Sequence, residues 1–400
     1  RELRSRREPA FTFFLFKELY QIQVEFFIYN RRGYSMLIFA ENYSYDDPLN
    51  IVFLCGSHYS KKSKHDKRNI LKEHIDGSTS NLHAIILEEN FQFASTSKQY
   101  LSYDDIYLSG LAQIEQLASL YASKIIIIHE TISTAAELGM FAIDPILAQK
   151  ICLLVPDKVS IEEEKISGFI RLAFFQEKAP ENMVRLIRYY PDVEVHRTSP
   201  NKSDYYSYFH DNKIGTFLEK ELESFLISGT SKRTIHFQKN RFYNSNNAPS
   251  VVDYTLSSTN QSIAISTHIE ALKVHLLSML GVDFIRKELR KEKEIRIHVN
   301  YIYNVYRDIL RNTVESLTGI DAENFKVSVS LKGTNCTLKQ AVGYFLYMLQ
   351  AANLISLVQI SAVSPTTRKI QLSTHLDKYI RHINDALLDI GTTEFGRLVT

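Results

Sequence analysis

A carboxylate placed where a buried strand hands over to a helix is the group in this sequence best positioned to do chemistry. Residues Lys124–Ile143 read KIIIIHETISTAAELGMFAI. Ile125 to Ile128 predict a buried strand, with His129 and Glu130 at its end. Ser133 and Thr134 then open a small-residue helix that carries Glu137 and Gly139. In an open parallel sheet, ligands bind outside the C-terminal ends of the strands, and helix N-terminal amides favour anionic groups. Glu137 is therefore the candidate catalytic carboxylate, and the bond it suits is an N-ribosyl bond. Cleavage there passes through an oxocarbenium-like state, which a carboxylate can stabilise or trap as a sugar ester. One carboxylate suffices when the base leaves well, as cationic nicotinamide does. A base that needs a proton would call on Glu130 or Glu89, each predicted at a strand end, and His129 has the same latitude. A purely structural role competes, because Thr134-Ala135-Ala136-Glu137 also fits a capping box.

The partner site in the sequence is Cys55-Gly56-Ser57-His58, which ends the run IVFLCGS. Gly56 would let a phosphate or ribose approach the backbone, and Ser57 could bind it. Together with Glu89, Glu130, Ser133 and Thr134, these four residues make up the expected substrate-binding set. Cys55 is a weak nucleophile candidate, since small buried cysteines often only pack. Lys61, Lys62, Lys64, Lys67 and Arg68 follow as a basic run, read first as a solvated loop with phosphate contact as the functional option. No GxGxxG fingerprint or P-loop is present, so dinucleotide redox chemistry and NTP hydrolysis are poorly supported.

These residues need a scaffold, and the hydrophobic pattern supplies one. Strands are predicted at Ile51–Ser57, His83–Phe91, Ile125–Ile128 and Gln149–Asp157. Helices are predicted from about Asn69, over Asp104–Lys124, through Glu137 and over KISGFIRLAFF, with VEVHRT as an edge strand. Strands that alternate with helices and are apolar on both faces imply a parallel, Rossmann-like α/β sheet wrapped by helices. An N-terminal extension (1–45) precedes this domain (46–228). Ile214–Ser228 reads as a helix, and the Asn-, Ser- and Lys/Arg-rich stretch 229–260 as a linker or arm. The rest, 261–400, is mainly helical. It closes with a helix from Thr337 to Leu349 and two strand-like runs, LISLVQI and KIQLST, in the manner of a winged helix-turn-helix. Lys339, Arg368 and Lys369 are its candidate nucleic-acid contacts.

Composition narrows the partners. Net charge is +2, so no global field demands a polyanion. The three cysteines, Cys55, Cys152 and Cys336, have neither disulfide nor zinc spacing, so no metal ligand is assigned and a reducing cytoplasm is expected. No apolar run is long enough for a membrane helix. The opening RELRSRRE and FTFFLF faintly resemble a signal peptide, but the apolar run meets Lys17 and Glu18 with no small-residue cleavage site.

IVFLCGS and KIIIIHETISTAAELGMFAIDPILAQKICLLVPDK together resemble the nucleoside 2-deoxyribosyltransferase-like domain of retron effector proteins. Those are bacterial antiphage effectors encoded beside a reverse transcriptase and a noncoding RNA. The S-T-x-x-E-L-G core combined with F-L-C-G carries the likeness over residues 50–175, and the C-terminal region resembles the family's winged-helix part only in architecture. The resemblance implies that Glu137 is the catalytic Glu, that Cys55 and Gly56 form the phosphate- or ribose-side turn, and that Glu89 is the acidic residue after the second strand. Ile132 and Ser133 stand where true transferases carry Asp, which favours hydrolysis over base exchange. Ser167-Gly168-Phe169 lacks the family's Gly-Pro, so no site residue follows from it. The expected protein is a toxin-like effector that cleaves a nucleotide's N-glycosidic bond, with NAD the first substrate and no cofactor of its own. A reverse transcriptase bound to multicopy single-stranded DNA and its noncoding RNA would restrain it, within a higher-order assembly in the bacterial cytoplasm. The competing expectations are a non-catalytic DNA-binding or scaffold subunit with a nucleotide-sensing domain, and a glycosylase acting on nucleic-acid bases.

Overall fold

The computed structural model describes residues 38–39, 41–45, 49–56, 66–78, 81–89, 101–156, 184–189, 209–210, 213–228, 233–239, 251–359 and 366–384. The chain divides into two compact units. One comprises Asp47–Ser231 with Gly343–Thr366, the other Arg1–Asp46, Lys232–Val342 and Thr367–Thr400.

The first described strand, β1 (Asn42–Tyr45), belongs to the second of these units. The α/β unit then runs β2 (Asn50–Cys55), α1 (Lys67–Asp76), β3 (Leu82–Ile85), α2 (Leu111–Tyr121), β4 (Lys124–Ile128), α3 (Ile132–Ala142), α4 (Pro145–Ala148), β5 (Ile151–Pro156) and β6 (Arg185–Tyr189). A small hairpin, β7 (Phe209–His210) and β8 (Lys213–Ile214), leads to α5 (Thr216–Ile227). Strands β3-β2-β4-β5-β6 form one sheet in that order, parallel throughout. Every residue of β4 and β5 is buried, as a sheet covered on both faces requires. The alternation of side chains assigns the faces. Val52, Leu54, Ile126, Ile128, Cys152 and Leu154 pack with Ile70 and Leu71 of α1 and Leu218, Leu222 and Phe225 of α5. From the opposite face, Phe53 meets Phe141 of α3 with ring centroids 6.1 Å apart.

Two expected elements are shorter than their sequence pattern. β3 stops at Ile85, and Leu87–Glu89 form a single 3-10 turn, so Glu89 lies past the strand end. The helix expected from Asp104 begins only at Leu111. Ser102 and Asp105 bond each other instead, Ser102 Oγ to Asp105 Oδ2 at 2.7 Å, and Tyr107 adopts φ 65°, which ends a short 3-10 turn over Asp104–Ile106. The last sheet strand is β6, which the sequence pattern did not reveal. The expected helix KISGFIRLAFF and strand VEVHRT lie outside the described residues.

The second unit contains β9 (Arg233–Lys239), β10 (Val251–Ser257), β11 (Ser262–Thr267), α6 (Ile269–Met279), α7 (Asp283–Leu289), β12 (Lys293–Glu294), α8 (Ile295–Thr318) and β13 (Lys326–Leu331). Helix α9 (Leu338–Ala351) leaves this unit at Val342, and β14 (Ile355–Val358) belongs to the α/β unit. β15 (Thr367–Leu372) and a helix over residues 374–384 complete the second unit. Its sheet, β1-β9-β10-β11-β13, mixes parallel and antiparallel pairs. The expected linker 229–260 is therefore corrected, since its described residues include β9 and β10. Ile235 and Phe237 point inward and are buried, and that anchors β9 despite its polar composition. The N-terminal segment also takes a different place from the extension expected. β1 pairs with β9, Tyr43 opposite Ile235, and Phe39 stacks on His275 at 3.8 Å while its amide donates to Thr313 Oγ1 at 2.9 Å.

Helix α9, expected to precede the wing strands of a winged helix-turn-helix, is followed by β14 and β15 and is buried along most of its length. Residues 341–350 of α9 are all buried. Within the α/β unit Tyr344 stacks on Tyr121, Tyr347 OH donates to the Leu87 carbonyl at 3.4 Å, and Gln350 Oε1 accepts from the Leu101 amide at 2.9 Å. A helix that is apolar all round is core. No described helix is long and apolar enough to cross a membrane.

Candidate active site

In sequence order within the α/β unit, the five parallel strands lie 2-1-3-4-5. The chain moves from β2 to β3 on one side, then returns to place β4 on the other. The crevice of such a sheet opens where this reversal occurs, at the C-terminal ends of β2 and β4. Cys55 and Gly56 end one of these strands, and His129 and Glu130 follow the other.

Helix α3 brings Glu137 to this edge. Its N-cap is Thr131, in extended backbone, and the capping box is made with Thr134. Thr134 Oγ1 accepts from the Thr131 amide at 3.3 Å and donates to the Thr131 carbonyl at 2.7 Å. The capping box expected between Thr134 and Glu137 is thereby corrected: Glu137 is the sixth helical residue and its carboxylate is not used at the cap. Leu138 and Phe141 anchor the inward face of α3, and Ala135 and Ala136 keep it slim beside Glu137. One carboxylate oxygen, Glu137 Oε2, is buried with no hydrogen-bond partner among the described residues.

Two further carboxylates share this region. Glu88, in the turn after β3, and Glu115, half-buried on α2, both act on Glu137. Burial, then repulsion from Glu115 and Glu88, pushes the Glu137 carboxyl up to about 8, against a smaller opposing pull from Arg68. Glu115 is itself raised, by burial first and by Glu88 second. The Cys55 thiol rises well above its ordinary range, chiefly through burial and then through Glu137, so it is neutral packing rather than a nucleophile.

The cation behind this group is Arg68, which is 1% exposed. Its Nη1 donates to Glu88 Oε1 at 2.8 Å and to the Gly56 carbonyl at 3.2 Å, and its Nε donates to Asp66 Oδ1 at 3.4 Å. Burial works against the guanidinium charge, but Glu88 and Asp66 more than offset it and the pKa rises. Asp66 also caps α1, accepting from the Arg68 amide at 3.0 Å, which explains why the side chain turns inward at the start of that helix. The solvated-loop reading of Arg68 is corrected accordingly. Glu137, Glu88 and Glu115 lie close enough to repel one another, and Arg68 is already engaged by Glu88 and Asp66, so the site favours a cationic group or a developing positive charge.

The other expected residues divide between this crevice and other places. Gly56 faces Arg68. Glu130 belongs to a separate constellation, in which its Oε1 accepts from Tyr189 OH and from Lys67 Nζ, both at 2.7 Å. Glu89 lies 4.0 Å from Lys72 Nζ, and its neighbour Glu88 is the one that joins Arg68. His129 Nδ1 is 3.2 Å from Thr134 Oγ1, and burial lowers its pKa, so the ring is neutral near pH 7. Ser133 Oγ pairs with Thr131 Oγ1 at 2.7 Å, and Thr134 is fully buried in its cap. Ser57 and His58 lie outside the described residues. Arg68, Glu88 and Glu115 are additions to the sequence-derived set. Asp66, immediately before the helix and two residues before Arg68, was the available clue to Arg68, and a lone glutamate beside Ile114 and Leu117 was the clue to Glu115.

In the second unit, Lys339 Nζ sits 5.3 Å from the Tyr303 ring centroid, and Lys369 lies on β15. Arg368 is corrected as an exposed nucleic-acid contact. It is 4% exposed, pairs in register with Lys293 of β12, and its carbonyl is 3.1 Å from His298 Nε2.

A comparison with curated proteins returns no match. Residues 64–391 match the family described as STM3845 retron effector protein, a span that takes in residues of both units.

Proposed function

The chain belongs to the STM3845 retron effector protein family, and from that premise we propose that it serves antiphage defence by cleaving the N-glycosidic bond of a nucleotide, NAD first among the candidates. The observation that carries this reading is Glu137: a carboxylate not used by its helix cap, at the reversal point of a parallel sheet, with one buried oxygen unpartnered among the described residues and two more glutamates nearby. The 2-1-3-4-5 order is that of a doubly wound sheet with its ligand crevice at the reversal point, which supports a nucleotide as substrate.

In the proposed step, the bond between ribose C1′ and the pyridinium nitrogen breaks, and its electron pair neutralises the ring cation. Ionised Glu137 stabilises the resulting oxocarbenium ion or forms a sugar ester with it. Water then adds at C1′ and releases a proton, giving ADP-ribose. A cationic base entering the acidic crevice favours ionisation of Glu137. Ser133, bonded to Thr131, offers no carboxylate where transferases carry Asp, so hydrolysis is the preferred outcome. The natural restraint is proposed to be the retron's reverse transcriptase with its DNA and noncoding RNA. Cellular NAD should fall on phage infection with the wild-type protein and stay level with Glu137→Gln. Equal NAD loss in both would remove the catalytic assignment, and defence that survives Glu137→Gln would point to a sensing or scaffold role instead.

A further inference from the structure

We propose that His74, Glu219 and Glu223 form a zinc-class divalent metal site that clips α1 to α5. His74 lies in the last turn of α1, and Glu219 and Glu223 stand one turn apart on α5, on the same side of that helix. A ligand atom from each of the three lies within 4.8 Å of the others. His74 Nδ1 and Glu219 Oε1 are 3.9 Å apart, too far for a hydrogen bond. It is close to the separation of two ligands on one ion, since zinc binds nitrogen and oxygen at about 2.0–2.2 Å and tetrahedral ligands then lie roughly 3.4 Å apart. Small side-chain adjustments close the remainder.

Charge gives a second, separate indication. Like charges four residues apart on a helix repel, and no described Lys or Arg pairs with Glu219 or Glu223. Glu221, between them in sequence, has its own cation in Arg185 at 2.7 Å. A divalent ion would neutralise these two carboxylates. The donor set of one imidazole and two carboxylates, with no thiolate, suits zinc better than copper(I). It suits zinc better than magnesium too, which prefers an all-oxygen octahedron. Glu223 is exposed, so water can complete the coordination.

The location argues for a clamp rather than a catalyst. Arg68 reaches the end of β2 from the first turn of α1, and His74 lies six residues further, about 9 Å along the axis. Helix α5 is fixed to strand beginnings, Glu221 to Arg185 at the start of β6 and Ser228 to Lys124 at the start of β4. The metal would therefore sit away from the strand ends that hold Glu137. The three cysteines, which carry the usual zinc signal in a sequence, play no part, and the ligands are too far apart in sequence to form a motif.

The test needs no substrate and so stands apart from the glycosidase reading. Full-length protein is stripped with chelator, exposed to micromolar zinc and dialysed, and its metal content and thermal unfolding are measured beside His74→Asn and Glu223→Gln. About one zinc per chain and a zinc-dependent rise in Tm are expected, both lost in each variant while the circular dichroism spectrum is unchanged. Zinc retained by the variants, no zinc on the wild type, or an equal Tm rise with magnesium would each overturn the assignment.

Discussion

Arg68 stands directly behind Gly56: its Nη1 donates to the Gly56 carbonyl at 3.2 Å, and a Cβ on residue 56 would come within 3.1 Å of its Cδ. The glycine is thus explained by a buried guanidinium, and the turn after β2 is rigidly tied to Asp66 and Glu88 through that one side chain.

Breaking this tie should cost stability from either side. Gly56→Ala is expected to destabilise by about 1–3 kcal/mol through overpacking. Arg68→Met strands Asp66, which is 7% exposed, and should cost on the order of 3 kcal/mol. Urea unfolding monitored by circular dichroism measures both, and unchanged midpoints would show that the arginine is not held as described.

The ionisation of Glu137 sets a pH dependence for the proposed hydrolysis. With the carboxyl at about 8 in the free protein, kcat/KM for NAD should rise with pH and level off above about 8. A cationic substrate favours the ionised form, so the kcat profile should turn at lower pH than that of kcat/KM. Glu137→Gln should lower kcat by at least ~1,000-fold, about 4 kcal/mol of barrier. A kcat/KM that falls through this range would instead assign Glu137 as the proton donor.

Glu115 raises the Glu137 carboxyl across the crevice. Replacing it by Gln removes a neighbouring negative charge, so the midpoint of the pH profile should move to lower pH while activity at pH 9 stays close to wild type. A profile that does not move would disconnect the two residues.

Stability should follow the same ionisation. A carboxyl raised in the folded state binds its proton more tightly there than in the unfolded chain, so wild-type stability declines as pH climbs from about 4.5 to about 8. Gln at 137 has no such decline. Glu137→Gln should match wild type below pH 4.5 and exceed it at pH 9 by on the order of 1–3 kcal/mol. Parallel Tm curves across this range would contradict a buried, strained carboxyl.

The cap of α3 gives a local control. Thr134→Ala removes the hydroxyl that bonds the Thr131 backbone and should cost about 1 kcal/mol. Helix content in Glu137→Gln should stay intact. Comparing the two by thermal unfolding separates capping from chemistry.

The sheet was legible because its strands are apolar on both faces: Ile125 to Ile128 admit little else in a parallel sheet. Glu137 was legible from its position after such a strand. The cap was misread because Thr131 and Thr134 bear the same side chain at both ends of one spacing, and only the backbone shows which opens the helix. Adjacent glutamates hid the role of Glu88, because the single 3-10 turn after β3 decides which of the two reaches Arg68. Composition hid β9. Its alternation, Ile235 and Phe237 inward with Thr234, His236 and Gln238 between, was present inside a stretch otherwise rich in Asn, Ser and basic residues. The partners that keep α9 buried, Tyr121, Leu87 and Leu101, are far from it in sequence, so its apolar surface did not reveal them.

β1 and β9, paired through Tyr43 and Ile235, impose an order on how the chain can fold during synthesis. β1 leaves the ribosome long before its partner strand exists, and the whole 47–231 segment of the α/β unit is translated in between. Such a distant pairing is slow to close and leaves an unmatched strand edge meanwhile. The mixed sheet thus cannot be completed until β13 has been translated as far as Leu331, whereas every strand of the parallel sheet has been made by Tyr189.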